Sequence, residues 1–120
     1  MLVSGEFCMG KLIKNVEHGV VLPLVDEVAY QDGQIVSKTL AQNSRHSLTL
    51  FAFEKGEEIS SHESAGDALV LVLDGVGRIT IDGKMHLLHR GEAIVMPAQV
   101  SHAVYAVERF KMLLTVSFSE

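Results

Sequence analysis

Two histidines and the residues spaced around them are where this sequence offers chemistry. In "GEEISSHESAGDALVLVLDG", five residues separate Gly56 from His62, and Gly75 closes the stretch; in "GEAIVMPAQVSH", five residues separate Gly91 from Pro97, and His102 follows. Neutral imidazole ligates Fe, Mn, Ni, Cu or Zn, so His62 and His102 are candidate ligands of a divalent transition metal. Around His62 the further donors run out. Ser64 stands where a second imidazole would suit an ion, and apolar Ala68 stands where a carboxylate would. A first-row ion usually takes at least three protein ligands plus water, and a serine hydroxyl is a weak substitute for imidazole.

Asp67 is the nearest carboxylate. On an extended chain side chains alternate, so positions 62, 64, 66 and 68 share one face and Asp67 points away. It becomes a third ligand only if a bulge at Gly66 resets the alternation; Glu63 meets the same parity obstacle. The structural alternatives are a turn-bonded His62 and a His102 that is simply a polar residue lining a barrel mouth. His86 and His89, beside Arg90, read as surface residues, although His86 shares a face with Leu88; His18 and His46 read as solvated. Met85, Met96 and Met112 read as core fillers. Ser64 has no acid–histidine relay that spacing identifies, which argues against a hydrolase triad.

The elements that must position these residues are short β-type runs divided by glycine turns, with little of helical period. Eight runs are expected: 34–40, 46–53, 68–73, 78–81, 84–88, 93–96, 102–107 and 110–118. The polar 41–45 stretch suits a hairpin connection, and Asp74-Gly75 and Asp82-Gly83 each predict a chain reversal, because Asp-Gly favours the positive φ of tight turns. Val20 to Val28 reads as an edge strand interrupted by Pro23, and Asp32-Gly33 as a further turn. Many short strands with regular turns point to a sandwich or closed barrel.

With this context, the two glycine-anchored stretches resemble the paired motifs of the cupin superfamily, G-x5-H-x-H-x3-4-E-x6-G and G-x5-P-x-G-x2-H-x3-N. Gly56, His62 and Gly75 agree with the first, where Ser64 and Ala68 replace a histidine and a glutamate. Gly91, Pro97 and His102 agree with the second, where Gln99 replaces a glycine and Ala106 an asparagine. The resemblance implies an all-β, double-stranded β-helix (jelly-roll) barrel. The expected arrangement is a single domain over 1–120, with a barrel core over about 34–118 and residues 1–33 as an added strand or dimer arm. It also implies a metal held inside the barrel by three histidines and a glutamate, of which His62 and His102 remain. A cavity bounded by His62, Ser64, Ala68 and His102 follows.

"ALVLVL" lacks the alternation of a strand with one wet face, so both its faces are expected to be buried. A homodimer contact near Leu69, Leu71 and Leu73 accounts for this; cover by the chain's own N-terminal segment is the alternative.

Composition bounds the rest. A chain of 120 residues, 48% hydrophobic and 21% charged, is one globule able to bury a core without disulfides. A formal charge of −5 with no basic run tells against nucleic acid and anionic membranes as partners. No stretch reaches the roughly 18 apolar residues of a membrane span, and the lone Cys8 fits a reducing compartment, so the expected location is cytoplasmic. The sequence thus predicts a small barrel protein that binds a small molecule or a weakly held metal ion. The competing readings are an oxygenase or isomerase using His62, His102 and a carboxylate, and a partner subunit that has kept the scaffold alone.

Overall fold

The computed structural model describes residues 12–119; Cys8 and the rest of the first eleven residues lie outside them. Seven strands follow a short 3-10 turn at Leu24–Asp26: β1 Ile35–Gln42, β2 His46–Phe53, β3 Glu58–His62, β4 Asp67–Ile81, β5 Lys84–His89, β6 Ala93–Met96 and β7 His102–Ser117. All pairings are antiparallel.

Two long strands build the barrel by serving both of its walls. The C-terminal half of β7 lies between β2 and the N-terminal half of β4, which also pairs with β6. The N-terminal half of β7 lies between β3 and the C-terminal half of β4, which also pairs with β5. Each long strand bends once to pass from one wall to the other, and its register slips between Val72 and Asp74 and again between Gly75 and Gly77.

This overturns one expectation. Asp74-Gly75 is not a reversal; it lies inside β4, so the runs 68–73 and 78–81 form one strand, and 102–107 joins 110–118 in β7. Gly75 has φ +77, and a Cβ there would overlap the Arg109 carbonyl. The bend therefore uses the same positive φ that makes Asp-Gly a turn signal, for a bulge where two strands press together. Asp82-Gly83 does reverse the chain, with φ of 50° and 81°, between β4 and β5. The hairpin between β1 and β2 also forms as expected.

Two further expectations change. Val20 to Val28 forms no strand: the chain takes a 3-10 turn directly after Pro23, which lacks the N–H a ladder requires. Glu58–His62 is a strand that the sequence pattern does not reveal, since four of its five side chains are exposed.

The main core lies between the walls. Phe53, Val70, Val72, Ile79, Ala106, Phe110 and Met112 are essentially inaccessible there, and the Phe53 and Phe110 rings stack at 4.5 Å. A second cluster, of Val28, Leu40, Leu50 and Ala52, lies on the outer face of the first wall, with Val16, Leu24, Leu73 and Leu113 packed against it. "ALVLVL" is thus covered unevenly. Leu73 packs beside the chain's own N-terminal segment, whereas Leu69 stays 41% exposed, so burial of the whole second face is not observed within one chain.

Polar contacts fasten that segment beside the bend. Lys111 Nζ donates to the Val25 carbonyl at 2.6 Å, and the Tyr30 hydroxyl donates to Asp74 at 2.6 Å. Burial, and then that bond to Asp74, push the Tyr30 phenol well above its ordinary range. Arg109 grips Glu54 through two bonds of 2.7 and 3.0 Å. Among the described residues no helix is long and apolar enough to cross a membrane.

Candidate functional site

His62 ends β3 and His102 begins β7, and the antiparallel register sets them directly opposite each other. They lie at the end of the barrel away from the bend. His102 is 3% exposed, whereas His62 is open to solvent. Their rings meet edge to face with centroids 4.3 Å apart, and the two Nε2 atoms are 3.1 Å apart.

Both rings are oriented from behind in the same way. His62 Nδ1 lies 2.9 Å from the Ser60 carbonyl, and His102 Nδ1 lies 3.2 Å from the Val100 carbonyl. A carbonyl only accepts, so each Nδ1 carries the proton and each Nε2 presents a lone pair. Two acceptors then face each other at the cavity mouth, a contact that only a shared proton or another electrophile satisfies. Burial, and then the neighbouring His62, hold the His102 imidazole below its ordinary value, which disfavours the extra proton near neutral pH.

The remaining candidate residues fall around this pair. Ser64 follows β3 in the connection to β4; its hydroxyl accepts from Gly66 N–H at 3.2 Å, and its carbonyl accepts from Gln99 N–H at 2.8 Å. Gln99 has φ +62, the left-handed geometry that the cupin motif meets with glycine. Ala68 is buried in the wall between Met96 and Val116. Asp67 does not reach the cavity, because its Oδ1 accepts from the Ala98 N–H at 2.7 Å on the loop after β6. The chain between His62 and Asp67 is a connection, so the alternation argued along 62–68 does not apply as a single strand.

A cavity of about 90 Å³ opens beside the histidines. His62, Ser64 and His102 are its polar lining, and Ile59, Ala68, Met96, Val104, Met112, Leu114 and Val116 are its apolar walls. Apart from Ala68, these walls were not singled out in the sequence, because an apolar side chain facing a cavity and one facing a packed core follow the same alternation; only strand register separates them. The other histidines lie elsewhere. His89 contacts Glu92 at 3.3 Å, His18 contacts the Ile13 carbonyl, His46 is exposed, and His86 is half-buried on the Leu88 face.

The donor set does not complete the metal site that the cupin resemblance implies. Among the described residues no group of three or more His, Cys, Asp or Glu side chains is placed to hold an ion. His62 and His102 supply two nitrogens, and the cavity adds a hydroxyl and thioethers but no carboxylate.

Comparison with known proteins places the architecture. The family model described as "Cupin domain" matches residues 49–117. A Streptococcus pyogenes protein of unknown function is 45% identical, over 92% of this chain and 96% of its own, with a TM-score of 0.90. A cupin superfamily protein from Desulfitobacterium hafniense is 34% identical, over 89% of this chain and 98% of its own, with a TM-score of 0.85. A cupin 2 conserved barrel domain protein from Leptotrichia buccalis is 45% identical over 80% of this chain and 46% of its own, with a TM-score of 0.75. No curated protein matches the sequence.

Proposed function

This chain belongs to the cupin family, and we propose that within it the protein is a binding module whose barrel takes a small, largely apolar organic molecule carrying one hydrogen-bond donor. The observation that carries this reading is the pairing of an apolar cavity with two imidazole acceptors at its mouth, 3.1 Å apart and each oriented by a backbone carbonyl. A hydroxyl placed there donates to one of the two Nε2 lone pairs, while the apolar part of the molecule displaces water from the walls. The size of the cavity limits the enclosed part to a few heavy atoms, since a dry cavity of about 150 Å³ already accepts benzene. The replacement of the motif's carboxylate by Ala68 supports an uncharged ligand, because a buried charge with no partner is costly.

The test is a thermal-shift screen of small alcohols, amines and phenols against the wild-type chain and His62→Ala. A ligand that raises the melting temperature of the wild type and not of the variant is the expected result. If no compound does so, or if every active compound serves both proteins equally, the assignment fails.

A metal-dependent enzyme is the second reading, and one observation favours it. Two imidazoles on one ion, with bonds of about 2.0–2.1 Å, place their nitrogens roughly 3 Å apart, close to the separation found here. Bound there, an ion would act as a Lewis acid. Among the described residues no third imidazole, thiol or carboxylate joins His62 and His102, which ranks this reading second.

A further inference from the structure

In the second wall β5, the C-terminal half of β4, the N-terminal half of β7 and β3 lie side by side. One cross-strand row on its outer face runs Leu87, Arg78, Tyr105 and Glu58, and the next runs Met85, Thr80 and Ala103. The N-terminal segment packs on the first wall and not here, so Met85 and Leu87 stay 63% and 55% exposed. At the centre, the Arg78 guanidinium lies 4.5 Å from the centroid of the Tyr105 ring. Its Nε is buried and has no hydrogen-bond partner, the single such side-chain atom among the described residues. Among those residues Arg78 also forms no ion pair; Glu58 stands two strands away, beyond Tyr105.

We infer that this face binds a segment of a partner protein, which sets an aspartate or glutamate carboxylate on Arg78 and apolar side chains on Met85 and Leu87. A buried donor without an acceptor is costly, and a carboxylate is the acceptor that matches the planar guanidinium fork. Stacking on Tyr105 already fixes Arg78 and strips part of its water, so pairing there loses less than it would at a mobile, solvated arginine.

Shape and charge select the occupant. A small free anion finds no concave wall on a sheet face. Phosphate polymers are repelled by a chain of net charge −5. Arginine and tyrosine among exposed apolar side chains match the centres of protein–protein contacts. The same net charge confines the attraction to Arg78, so the partner's acid fixes the register of the contact.

Selection of a random peptide library displayed on phage against the full chain tests the inference. The expected winners carry an aspartate or glutamate beside apolar residues. Their affinity as free peptides should fall at least ~10-fold in Arg78→Met, which keeps an apolar stem over Tyr105 and removes the charge. Leu87→Glu sets the chain's own carboxylate across from Arg78 and should cause a similar loss; because Leu87 is exposed, this variant keeps the test intact if Arg78→Met does not fold. Val95→Glu, on the first wall, should bind as the wild type does. Failure to enrich any peptide overturns the inference, as do winners without a carboxylate or winners that bind Arg78→Met and the wild type equally. Sedimentation showing self-association that Arg78→Met abolishes would give the face to a second copy of this chain and overturn it too.

Discussion

The two ends of the barrel use the same strands for opposite purposes. At the bend, Phe53 stacks on Phe110, the Phe110 ring leaves no room for a Cβ at Gly77, and Arg109 closes over Glu54. At the other end, the same β4 and β7 carry Ala68, Val116 and His102 around open space. Filling the first end fixes where the two walls cross, and that leaves the second end free to hold a cavity lined by the two imidazoles. Under the proposed function, stability and binding are thereby separated along the barrel, and each half of that statement can be broken on its own.

The largest effect is expected at the bend. Phe110→Ala removes a fully buried, stacked ring and should cost about 3–5 kcal/mol in chemical denaturation. His62→Ala at the open end should stay within about 0.5 kcal/mol of the wild type, as an exposed side chain does. Equal losses in the two variants would erase the distinction between the ends.

Next in size is a restoration. Ser64→His with Ala68→Glu returns the two missing motif residues, and without metal it should lower stability by about 2 kcal/mol, because Ala68 is buried among apolar neighbours. Zinc should recover that loss in the double variant and leave the wild type unmoved, as differential melting would show.

Acid should affect the open end selectively. The folded-state pKa of His102 lies below its ordinary value of 6.5, because burial and then His62 disfavour the charged ring. Above that value the group contributes no pH dependence. As the pH falls below it, the unfolded chain takes up the proton before the folded one does, and stability declines until the folded-state pKa is passed. His102→Gln should flatten the dependence of stability on pH over that window.

The smallest effect is local. Gln99→Gly places glycine at φ +62 and should stabilise by about 0.5–1 kcal/mol, with unfolding midpoints as the readout.

How much of this was legible in the sequence follows from the kind of signal each part leaves. His62 and His102 could be brought together because glycines and Pro97 mark fixed places in the motifs, and the β3–β7 register does set the two histidines opposite each other. Asp74-Gly75 misled, since a bulge inside a strand and a tight turn need the same backbone geometry. Glu58–His62 was illegible because a strand with most side chains exposed has no alternation to read. The alternation argument for Asp67 assumed one strand through residues 62–68, and the Ala98 N–H that its carboxylate accepts from is 31 positions away, beyond any local pattern. The split fate of "ALVLVL" depended on which residues the N-terminal segment covers, again a tertiary fact.

The most direct test of the central claim, a cupin barrel whose reduced donor set leaves a cavity for an organic ligand, is elemental analysis of protein purified without a histidine tag, beside His62→Ala/His102→Ala. The account predicts transition metal well below one equivalent in both. Stoichiometric Fe, Mn, Ni, Cu or Zn in the wild type, lost in the variant, would contradict it and establish the histidine pair as part of a metal centre.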